Sequence, residues 1–154
     1  MKINKYLKEL GLDWYDLPGN YDEKLIDNEE LCDKPAADCR NQEDEEGFCD
    51  YEFFSLDHTL SLIIYSKLCY FREYIADIGT PGCLCPIHDY HLPQEEKERR
   101  SQAAHEKWLS IVDKMIKAFK IQIQGEREGY EGIDREAVRE GMQLFIEYYH
   151  CLWF

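Results

Sequence analysis

Positive charge is scarce in this chain. Its 154 residues hold 18 Lys and Arg against 32 Asp and Glu, a net charge of −14. Acidity of that size works against binding to nucleic acid phosphates and to anionic membranes. It suits plain solubility, a partner with a basic surface, or a mimic of nucleic acid. Uninterrupted apolar runs are also missing. The opening residues, MKINKYLKEL, have bases but no apolar segment of the kind a secretory signal needs, which predicts a cytosolic protein. The most apolar stretch, SLDHTLSLIIYSKLCYFREYI from Ser55 to Ile75, is broken by Asp57, His58, Lys67, Arg72 and Glu73, which excludes a membrane-spanning reading. There is no internal repeat and no strand-like alternation of any length. GxSxG, P-loop, GxGxxG and nucleophile-plus-base signatures are all lacking.

What the chain does contain is helical periodicity. Lys2 to Leu10 reads as a short helix stopped at Gly11, and Leu12, Trp14, Tyr15 and Leu17 follow as apolar anchors before the Pro18–Gly19–Asn20 turn. Ser55 to Ile75 reads as a buried central helix. Leu56, Leu60, Ile63, Ile64, Leu68, Phe71 and Ile75 mark its expected core face, and it ends before the Gly79–Thr80–Pro81–Gly82 breaker. Gln94 to Gln124 reads as the longest helix. Its polar first half should be exposed, and Trp108, Ile111, Val112, Met115, Ile116, Phe119 and Ile123 form a regular stripe in its second half. A last helix is expected from Asp134 to about Trp153, after a connecting loop with three glycines, Gly125 to Gly132. The fold class that follows is all-α: one domain, an antiparallel bundle of three long helices over residues 55–153, with an acidic, mostly irregular N-terminal third. The aromatic side chains of the last two helices stand at helical spacing and read as core, not as a platform for bases.

Charge is unevenly spread. Asp22 to Glu52 holds thirteen acids and three bases, −10 of the total. Its densest part, Glu43, Asp44, Glu45 and Glu46, is the candidate partner-binding surface. The same run lacks the residue order of a calcium loop.

Seven cysteines in a cytosolic chain predict free thiols or metal ligands more than a disulfide framework. The sharpest constellation is CLCPIHDYH, which brings Cys83, Cys85, His88 and His91 within nine residues. Two thiolates and two imidazoles could close a tetrahedral zinc site, although the gaps are tighter than those of zinc fingers. Three of them plus a distant ligand would serve as well. Zinc there would be structural, because no HExxH glutamate accompanies it. Cys32, Cys39 and Cys49 match no ligand spacing. Asp57–His58 could serve acid–base chemistry, but a hydrogen bond near the helix start accounts for it better.

Three stretches, FFSLDHTLSLIIYSKLCYFREY, WLSIVDKMIKAFKIQIQ and EGMQLFIEYYHCLWF, together about a third of the chain, resemble small uncharacterised proteins of tailed bacteriophages and prophages. The shared patterns are LDxTL…LxxF, W…xxDKMIxAF and EGxxLFxxYxxxLW. The resemblance implies a viral protein made in the cytoplasm of a bacterial host. Proteins of this kind often bind and block a host factor, including CRISPR effectors, whose basic nucleic acid channel an acidic protein can occupy. Three readings follow: an acidic inhibitor of a host protein with a basic surface, a zinc-dependent enzyme, and a phage structural or assembly protein, zinc-stabilised or not. The first is preferred, because no catalytic motif is present and the acidity is concentrated. It requires neither direct nucleic acid contact nor a membrane.

Overall fold

The computed structural model describes residues 3–13, 56–81, 84 and 91–152. The fold is all-α, with three long helices packed together and no strand among the described residues. The candidate surface of Glu43 to Glu46 and the expected cap Ser55 lie outside the described residues. The chain divides into two compact units, Met1–Ser66 and Lys67–Phe154, and the boundary falls inside the second helix.

In the first unit, helix α1 spans Lys5–Glu9. The Asn4 side-chain oxygen accepts hydrogen bonds from the Tyr6 and Leu7 amides at 3.1 and 3.2 Å, which satisfies two N–H groups the first turn would leave bare. Gly11, at φ +72°, supplies the left-handed residue that ends the turn. Tyr6, Leu7 and Leu12 are buried.

Helix α2, Leu56–Ile78, stops at Gly79, the breaker expected from sequence. Its buried face differs from the predicted one. Leu62, Tyr65, Leu68 and Ile75 are buried, but Leu56, Leu60 and Ile63, assigned to the core from their spacing, are exposed. The cause is composition. A helix apolar nearly all round offers several stripes of the same period, and periodicity alone does not choose among them. Thr59, Ser61 and Ser66 share the buried side, and the Ser66 hydroxyl donates to the Leu62 carbonyl at 2.8 Å, so its burial leaves no donor unpaired.

In the second unit, the end of α2 runs antiparallel to helix α3, Gln94–Glu128. Phe71 meets Trp108 edge to face at 6.3 Å, Arg72 forks onto Asp113 at 2.8 and 3.2 Å, and Thr80 lies 3.3 Å from His105. The α3 core stripe is as the sequence reads it. Trp108, Ile111, Val112, Met115, Phe119 and Ile123 are buried and Ile116 is half-buried.

No residue of α3 before Trp108 is buried. This polar half is laced along its own surface: Gln94 donates to Glu98 at 2.8 Å, Gln102 donates to Glu106 at 2.9 Å, and Arg99 and Arg100 converge on Glu96. The hydrogen bonds from Arg99, then Arg100, pull the Glu96 carboxyl down to about 2. The cationic groups at the exposed start of α3 are therefore partly neutralised within the helix.

Helix α4, Arg135–Glu147, is shorter than the expected Asp134–Trp153. Tyr148 caps it, donating its amide to the Leu144 carbonyl at 2.9 Å, and a 3₁₀ turn, Tyr149–Cys151, follows. Its Asp134 side chain accepts the Ala137 amide at 3.0 Å, a standard N-cap bond. Helices α3 and α4 pack antiparallel: Lys117 pairs with Asp134, Lys114 with Glu140, Phe119 with Phe145 and Trp108 with Tyr148. The point of closest approach is Gly141. A methyl there would stand 2.5 Å from the Ala118 Cβ and against the Lys114 carbonyl. Neither can move without shifting a helix. Gly141→Ala is expected to lower stability by about 1–3 kcal/mol or more, despite alanine's better helix propensity, and to lower the urea midpoint. Gly125→Ala meets the Tyr130 ring at 3.0 Å, a side chain able to swing aside, and should cost less.

The cysteines depart in part from expectation. Cys69 is not in a disulfide, but Cys151, 1% exposed, is disulfide-bonded. Composition does not reveal such a pair, because pairing depends on which sulfurs the fold brings together. Among the described residues no helix is long and apolar enough to cross a membrane.

Candidate functional site

Of the four proposed zinc ligands, Cys83, Cys85 and His88 lie outside the described residues. His91 lies in an exposed turn two residues before Pro93, the residue that precedes the first turn of α3. Among the described residues no group of three His, Cys, Asp or Glu side chains is placed to hold a metal. Asp57 is exposed and His58 half-buried at the start of α2.

A concave feature within the second unit lies where α3 turns into α4. Gly129 at φ +92° and Gly132 at φ +79° let the chain reverse within a few residues. The reversal leaves a cleft of about 360 Å³. Ile121, Gly125 and Ile133 line its apolar part, and Glu128, Glu131 and Asp134 bring carboxylates to it. Tyr130 closes over Gly125, and its hydroxyl accepts a hydrogen bond from the Gln122 side-chain amide at 3.1 Å. The Ala137 amide, and secondarily the Lys117 ammonium 3.5 Å away, hold the Asp134 carboxyl below its usual range. Asp134 is thus anionic at neutral pH. An apolar lining with carboxylates suits an alkyl chain ending in a cation, the shape of a lysine or arginine side chain.

The sequence reading treated Gly125 to Gly132 as a plain connection. The only available signal was three acids, Glu128, Glu131 and Asp134, spaced by glycines, and that spacing matches no motif. The Tyr148 hydroxyl is pushed up by burial and by the neighbouring Glu147 carboxylate, so it remains a protonated donor.

No family model, curated protein or solved structure matches the chain.

Proposed function

We propose that this chain is a small acidic phage-encoded binding protein that inhibits a host factor by occupying a basic surface, an anti-CRISPR or other anti-defence role being one form of it. The observation that carries the reading is the net charge of −14, with −10 of it between Asp22 and Glu52. The carboxylates of the α3–α4 cleft add a second acidic feature suited to lysine or arginine. The resemblance to bacteriophage proteins supplies the setting, the cytoplasm of an infected bacterium. Concentrated charge speeds association through long-range steering, and salt screens it.

Neutralising Glu43, Asp44, Glu45 and Glu46 together should slow association with a captured host partner and flatten its salt dependence. Folding should change by less than about 0.5 kcal/mol per substitution. Stopped-flow or surface-based kinetics at low salt measure the first, and thermal melts the second. A variant that binds as fast as the parent at low salt would reduce the acidic run to a solubilising segment.

A further inference from the structure

We draw no further inference here: the strongest candidate, the cleft where α3 turns into α4, lined by Glu128, Glu131 and Asp134, belongs to the site already described, and no second observation beyond that acidic cluster points to a ligand.

Discussion

Trp108→Ala should cost about 3–5 kcal/mol and lower the melting temperature by on the order of 10 °C. Trp108 has no exposed surface and is among the largest fully buried side chains. The Phe71 ring stands 6.3 Å away at 84°, and the Tyr148 ring 5.9 Å away at 55°. These contacts join the end of α2, the middle of α3 and the cap of α4. Deleting the indole therefore opens a cavity where all three meet, and no single helix can close it by moving alone. Trp108→Phe should be much milder. The indole N–H is buried with no acceptor among the described residues, and such a donor carries a penalty of about 1–3 kcal/mol that phenylalanine does not. That relief offsets part of the lost area. Thermal or urea unfolding of the two variants checks the pair. A Phe variant as damaged as the Ala variant would mean that the N–H is satisfied and that ring size alone does not set the cost.

Two of the three long helices of the sequence reading, α2 and α3, were legible to different degrees, and the contrast has a physical cause. In α3 the apolar positions from Trp108 to Ile123 stand among Asp113, Lys114, Lys117 and Lys120, all exposed, so one face alone could be buried. In α2 the polar residues are few and the apolar ones lie all round, so the period was clear and the choice of face was not. The end of α3 was misread for a local reason. Gly125 looked like the start of a loop, yet it is buried within the helix, where Tyr130 and Ile133 fold back against it. The helix breaks instead at Gly129, the glycine with positive φ. The α3–α4 cleft was invisible in sequence for the same reason. Its carboxylates converge only because the chain reverses there. The candidate partner-binding acids and three of the four candidate zinc ligands lie outside the described residues, so the cleft is what the structure adds to the functional reading.

The rotated face of α2 gives the sharpest test of the core. Leu62→Ala should cost about 2–5 kcal/mol, the range for a fully enclosed leucine. Leu60→Ala, two residues earlier, should cost less than about 1 kcal/mol. Leu62 has no exposed surface and Leu60 is 46% exposed, so the same chemical deletion removes buried contacts in one case and half-wetted surface in the other. Alanine's higher helix propensity offsets a few tenths of a kcal/mol in both and cancels from the comparison. Thermal or urea unfolding of the two variants measures the difference. Equal costs, or a larger cost at Leu60, would mean that the leucine spacing first read from the sequence marks the core after all.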